Sequence, residues 1–166
     1  SGDSQGLRAY LHSSAADTPA PPVRPYCRNA AVNTLLNHYA SKFQAQSIRF
    51  EIQSDLPAEL PLPEPDLCVI LGNLAENALE ACSGQEGQWC RISLQMTGPR
   101  AITVTADNTA STAPQRQSGH ALLSSKHDGE GIGTQSILYI AQQYNGTADF
   151  RWEDGFFFAS VFLNPL

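Results

Sequence analysis

Apolar side chains recur at helical spacing along residues 26–46. Val32, Leu35, Leu36, Tyr39 and Phe43 share one face, which predicts an amphipathic helix. The period then shortens. Ile48, Phe50 and Ile52 alternate with polar neighbours, the two-residue repeat of a half-buried strand. A proline-rich bend covers residues 57–65. Leu67, Ile70, Leu71, Leu74 and Ala78 then predict a second helix over residues 66–81, ended by Ser83, Gly84 and Gly87. Cys90, Ile92, Leu94 and Met96 alternate, as do Ile102, Val104 and Ala106. Thr97-Gly98-Pro99-Arg100 between them predicts a β-hairpin. Ile137, Ile140, Ala141 and Tyr144 predict a third helix, stopped by Asn145-Gly146. Strands over residues 147–152 and 156–163 follow, joined at Asp154-Gly155.

This order predicts an α+β fold, a two-layer sandwich with helices on one face of a mixed, mostly antiparallel sheet. Two stretches stand outside the pattern. Residues 6–12 resemble the last turns of a helix, and residues 13–25, with four prolines, read as a linker. The expected organisation is therefore a helix end plus linker over residues 1–25 and one domain over residues 26–166. Residues 107–130 are polar and carry few apolar anchors. So long a structureless segment inside a compact domain is usually a functional lid.

Composition narrows the function classes. With 42% hydrophobic and 16% charged residues, the chain is neither disordered nor membrane-embedded in character. A net charge of -6 argues against a nucleic-acid partner. The four cysteines (Cys27, Cys68, Cys82 and Cys90) match no zinc or redox spacing, which favours free thiols in a reducing, cytoplasmic setting. The chain opens at Ser1 without an initiator Met, as expected of a piece of a longer protein.

Three segments carry candidate chemistry. On the second helix, Asn73, Asn77 and Glu80 fall at i, i+4 and i+7 with Glu76 beside them. This row of amide and carboxylate oxygens suits hard Mg²⁺, which takes few protein ligands and keeps phosphate and water for the rest. Asp107 closes an apolar strand, where a carboxylate accepts from a buried amino group. Gly129, Gly131 and Gly133 precede the third helix. Glycines there let the backbone approach phosphate at a helix N-terminus. Singly, each reads as well as a solvated helix face, an Asp-Asn turn or a hinge. The glycines form neither a Walker motif nor a dinucleotide fingerprint.

Together, in this order, the segments resemble the nucleotide site of the GHKL family of ATPases and kinases, whose ATP-binding fold is of the Bergerat type. Asn73-Leu-Ala-Glu-Asn77-Ala-Leu-Glu80-Ala is similar to the family's asparagine box. The resemblance implies ATP and Mg²⁺ as cofactors, with Asn77 as the metal ligand, Asp107 accepting from the adenine amino group, and Gly129, Gly131 and Gly133 closing over the phosphates. Where the ATP-hydrolysing branches carry a water-activating Glu, this chain has Asn73, which favours phosphoryl transfer. The finer resemblance is to sensor histidine kinases of the quorum-receptor, AgrC-like subgroup, on Lys126 before the glycines and on Tyr144-Asn145-Gly146. It implies a catalytic role for Asn73, Asn77 and Lys126 and a phospho-acceptor histidine on an upstream dimerisation hairpin. It also implies relay to a response regulator, a homodimeric full-length protein and a cytoplasmic domain of a membrane receptor. His12, His38, His120 and His127 lack the acceptor's sequence context. Two departures stand. No glycine follows Asp107 in Asn108-Thr109-Ala110-Ser111, and Phe156-Phe157 follows Gly155. A degenerate nucleotide-sensing module, a GHKL ATPase and an anti-sigma-type serine kinase are the alternatives.

Overall fold

The computed structural model describes residues 22–82, 84, 86–111 and 133–166, together with the backbone of residues 115–116, 122–123 and 132. Helix α1 spans Ala30–Ala45, four residues shorter at its start than the apolar spacing predicts. Asn29 caps it. Its Oδ1 accepts from the Val32 N–H at 3.0 Å, while its Nδ2 donates to the Ala58 carbonyl at 2.9 Å and to Glu64 at 2.8 Å. Upstream, Asn33 Oδ1 accepts the amides of Tyr26 and Cys27 at 2.8 and 3.1 Å, so local side-chain bonding draws these residues out of the helix.

Strand β1 (Arg49–Ser54) pairs in parallel with β2 (Trp89–Met96), and helix α2 (Glu64–Cys82) makes the crossover. Pro65 falls in the first turn of α2, where no intrahelical N–H is required. Glu64 and Asp66 in the same turn meet the positive end of the helix dipole. The β2–β3 hairpin forms as the sequence predicts, with β3 spanning Ile102–Thr109 and Thr97 N–H donating to the Ala101 carbonyl at 2.9 Å. Strands β6 (Thr147–Glu153) and β7 (Phe156–Leu163) meet at Asp154 (φ 50°) and Gly155 (φ 83°), the left-handed pair that a two-residue hairpin turn requires.

The five-stranded sheet runs β1-β2-β3-β7-β6, antiparallel except at β1–β2. Alternate strand residues (Ile92, Leu94, Val104, Ala106, Ala159, Val161) are buried together with Leu67, Ile70, Leu71 and Leu74 of α2 and Phe43 of α1. The helices therefore cover one face, and the α+β two-layer arrangement is the observed one. All four cysteines are free. Among the described residues, no helix is long and apolar enough to cross a membrane.

The segment expected to be a structureless lid differs at its start and in its middle. Strand β3 continues to Thr109, and Ala110 is pinned on both sides: its N–H donates to the Gly155 carbonyl at 2.8 Å and its carbonyl accepts from Trp152 Nε1 at 2.9 Å. The polar residues at 107–109 are thus sheet, not loop. Further on, β4 (Gln115–Arg116) pairs antiparallel with β5 (Leu122–Leu123). The rest of that segment lies outside the described residues. Helix α3 spans Ile132–Gln143. Gly146 N–H closes its end on the Ala141 carbonyl at 2.8 Å, after Asn145 at φ 50°. A β-carbon at Gly146 would run into the Phe162 carbonyl, so contact with β7 demands this glycine.

Candidate functional site

The α2 face carrying Asn73 and Asn77 looks toward the start of α3. Gly133 lies in the first turn of that helix, where backbone N–H groups have no intrahelical acceptor. It sits so close to α2 that a β-carbon there would lie 2.9 Å from Asn73 Oδ1 and 3.4 Å from its Cγ. The Asn73 amide is itself oriented, its Nδ2 donating to the Val69 carbonyl at 2.9 Å. Asn77, one turn further along, is half-buried, and no hydrogen bond to another described residue engages its side chain. The structure thus brings Asn73 and Gly133 together, with Asn77 beside them on the same face. Lys126, Gly129 and Gly131 lie outside the described residues.

The oxygen row predicted on α2 is shorter than four. Glu76 turns toward α1, where Lys42 Nζ donates to it at 3.0 Å and the Tyr39 hydroxyl at 3.1 Å. Burial pushes the Glu76 carboxyl up, but the hydrogen bonds from Lys42 and Tyr39 outweigh it and leave the group below its ordinary range. Desolvation, reinforced by the Glu76 charge, pushes the Tyr39 hydroxyl up to about 12. Glu76 therefore serves the α1–α2 contact. Glu80 is half-buried on the Asn73 side of the helix.

Asp107 lies on the sheet face away from α2. Along β3, residues 102, 104, 106 and 108 are buried toward the helices, and 103, 105 and 107 occupy the opposite face. On that far face Glu51, Arg91, Asp107, Phe158 and Arg151 are register partners across all five strands. The Arg151 guanidinium lies 4.8 Å from the centre of the Phe158 ring. Burial pushes the Asp107 carboxyl up, and the charges of Arg91 and Arg151 offset this only in part.

The neighbour that does face the helices is Asn108, 2% exposed. Its Nδ2 donates to the Thr109 carbonyl at 2.9 Å, which leaves Oδ1 as an acceptor with no described partner. The signal was present in the strand itself, because the two-residue period running from Ile102 through Val104 and Ala106 lands on Asn108. The C-terminal end of α2 reaches this point of the sheet, Cys82 Sγ lying 3.5 Å from both the Thr109 carbonyl and its hydroxyl. Asn108 and the Asn73–Gly133 contact therefore mark the two ends of one stretch of α2, about 14 Å long at 1.5 Å per residue.

A metal fits this arrangement in one form. Among the described residues no group of three His, Cys, Asp or Glu gathers to hold an ion, so a cage of protein ligands is not built there. One unengaged amide oxygen, Asn77, beside a phosphate-approachable helix start suits Mg²⁺, which keeps most of its shell as phosphate and water.

The fold has well-populated neighbours. The catalytic domain of histidine kinase ThkA in a nucleotide-free form superposes with a TM-score of 0.63 at 15% identity, covering 81% of this chain and 89% of that one. The mycobacterial sensor histidine kinase MprB gives 0.60 at 14% identity, covering 81% and 97%. Full-length ShkA in complex with AMPPNP gives 0.61 at 16% identity, covering 95% of this chain and 34% of that one. No curated protein matches the chain by sequence. At these identities the superpositions establish the fold, while residues 63–164 match the sequence profile described as "GHKL domain". That match spans more than half of the chain, including α2, the hairpin, α3 and both final strands, and the chain belongs to the GHKL domain family.

Proposed function

We propose that this GHKL domain binds Mg-ATP along α2. As the catalytic domain of a sensor histidine kinase, it transfers the γ-phosphoryl group to a histidine on an upstream dimerisation hairpin, for relay to a response regulator. The observation that carries the reading is the approach of Gly133 to Asn73, which sets a helix N-terminus against an amide-bearing helix face. Backbone N–H groups at a helix start, which lack intrahelical acceptors, favour phosphate oxygens. Asn77 would hold Mg²⁺, which would supply positive charge to offset that of the phosphates during transfer. Lys126, Gly129 and Gly131 complete the phosphate end in this reading. At the other end, the Asn108 oxygen accepts from the adenine amino group, in place of the Asp107 carboxylate expected from the sequence.

The remaining work of the chain is positioning. Asn73 stands where a water-activating carboxylate would favour hydrolysis. Its amide, held by the Val69 carbonyl, has no basic group to offer water. Tyr144-Asn145-Gly146 supports the AgrC-like quorum-receptor subgroup. In that setting the full-length protein is a homodimeric membrane receptor with this domain in the cytoplasm, and the isolated domain is a monomer. The test is phosphotransfer from ATP to a supplied dimerisation hairpin. Wild-type protein should label the hairpin histidine and Asn77→Ala should not. A stably folded Asn77→Ala protein with wild-type transfer overturns the proposal.

A further inference from the structure

The α3 helix is fastened at the end away from the nucleotide. The Tyr144 hydroxyl donates a hydrogen bond to Asp66 in the first turn of α2. The Tyr144 carbonyl accepts from Asn164 N–H at 2.8 Å, and Gly146 packs against the Phe162 carbonyl, which ties the same end to β7. Asp66 holds the Tyr144 hydroxyl in its protonated form, its pKa pushed up to about 12. Gly133, Ile137, Ile140 and Tyr144 follow helical spacing. On α2, Asp66 and Asn73 are seven apart and also share a face. The Tyr144–Asp66 bond and the Gly133–Asn73 approach are thus opposite ends of one antiparallel seam, with Ile70, Ile137 and Ile140 buried in the same core.

We propose that the Tyr144–Asp66 hydrogen bond is a positioning contact for the phosphate end of the site: it sets the rotation and axial register of α3 on α2, and so the placement of Gly133 and the start of α3 beside Asn73 and Asn77. The inference rests on the nucleotide reading above. Apolar contacts between helices resist separation but tolerate small sliding and rotation. A directional bond from the residue that follows α3 to a carboxylate on α2 resists both. The effect is felt where α3 meets phosphate, whereas adenine is read from β3, which this bond does not touch.

The test therefore compares ligands as well as variants. Binding of adenosine, ADP and ATP, the nucleotides with Mg²⁺, is measured by calorimetry on this chain, with a melting curve for each variant. Tyr144→Phe keeps the ring and removes the hydroxyl. It should weaken ADP and ATP about tenfold, equivalent to about 1.4 kcal/mol, and leave adenosine within twofold. Asp66→Ala should do the same. The double variant should add nothing further, because both changes break one bond. Asp66→Asn keeps an oxygen acceptor and should retain most of the affinity. If Tyr144→Phe is too unstable to assay, the Asp66→Ala and Asp66→Asn pair carries the comparison. Equal weakening of adenosine and ATP would mean a general loss of structure and overturns the proposal. So would unchanged ATP affinity in a variant lacking the bond. A wild-type chain that binds adenosine but gains nothing from phosphates also sinks it. A wild-type chain that binds none of the three refutes the nucleotide reading beneath it.

Discussion

Substituting Gly133 separates the two roles its position combines. A β-carbon there would lie 2.9 Å from Asn73 Oδ1, inside van der Waals contact, so one partner must move. The obstructing atom is the end of a flexible side chain, and the Asn73 amide swings away more readily than the helix backbone. That movement breaks the 2.9 Å bond from Asn73 Nδ2 to the Val69 carbonyl, a loss of about 1 kcal/mol. Against it, alanine in place of glycine favours a helix by up to about 1 kcal/mol, less in a first turn. The two nearly cancel, so Gly133→Ala should melt within a few degrees of wild type. Binding should not be spared. The new methyl group occupies the approach to the α3 N–H groups and displaces the amide beside them. Loss of a single charge-assisted hydrogen bond to phosphate costs about 1.5–3 kcal/mol, roughly tenfold or more in ATP affinity. Calorimetry with ATP and Mg²⁺, beside a thermal melt, reads both quantities. In an Asn73→Ala background the same glycine substitution meets no amide and should raise stability. A folded Gly133→Ala protein with wild-type ATP affinity would refute the claim that phosphate approaches α3 at this glycine.

Asp107→Asn should leave ATP affinity within twofold, because that side chain occupies the far face of the sheet, whereas Asn108→Ala should weaken ATP and adenosine alike. Calorimetry showing the opposite pattern would return the adenine contact to Asp107. Acid titration of stability should give opposite signs at two carboxylates. The Asp107 carboxyl is raised above its ordinary 3.8, so its ionisation opposes folding as pH rises past that value, and Asp107→Asn should gain stability at neutral pH that fades in acid. The Glu76 carboxyl is held below its ordinary 4.5, so Glu76→Gln should lose stability at neutral pH, and the deficit should close as pH falls below that value. Melting curves of both variants across pH 3–7, in steps of about one unit, check the two signs.

Much of the fold was legible because its periods are clean. Val32 to Phe43 and Leu67 to Ala78 repeat at helical spacing, and residues 90–96 and 102–106 alternate, so element types and the one-sided helical layer follow from pattern alone. The helix starts were less legible because side-chain bonds set them. Asn33 draws Tyr26 and Cys27 out of α1, and Pro65 opens α2 earlier than its first apolar residue. In the candidate site, Asn73, Asn77 and Gly133 could be grouped from helix geometry and helix order. Glu76 was misgrouped because its direction depends on Lys42 and Tyr39 of another helix, a contact between residues more than thirty positions apart. The face of Asp107 was missed for another reason. Its carboxylate invited a chemical reading, yet the alternation of its own strand already assigned it to the face away from the helices.

The central claim is that a metal-bound nucleotide lies along α2 with its phosphates at Asn73, Asn77 and the start of α3. The most direct measurement is a Mg²⁺ titration of ATP binding to this chain and to its Asn77→Ala variant. Wild-type affinity should rise with Mg²⁺ to a plateau. The variant should retain the weaker, metal-independent affinity supplied by adenine contacts, with the Mg²⁺ enhancement abolished and the melting temperature nearly unchanged. An Asn77→Ala protein that is folded and shows the wild-type Mg²⁺ midpoint would contradict the account.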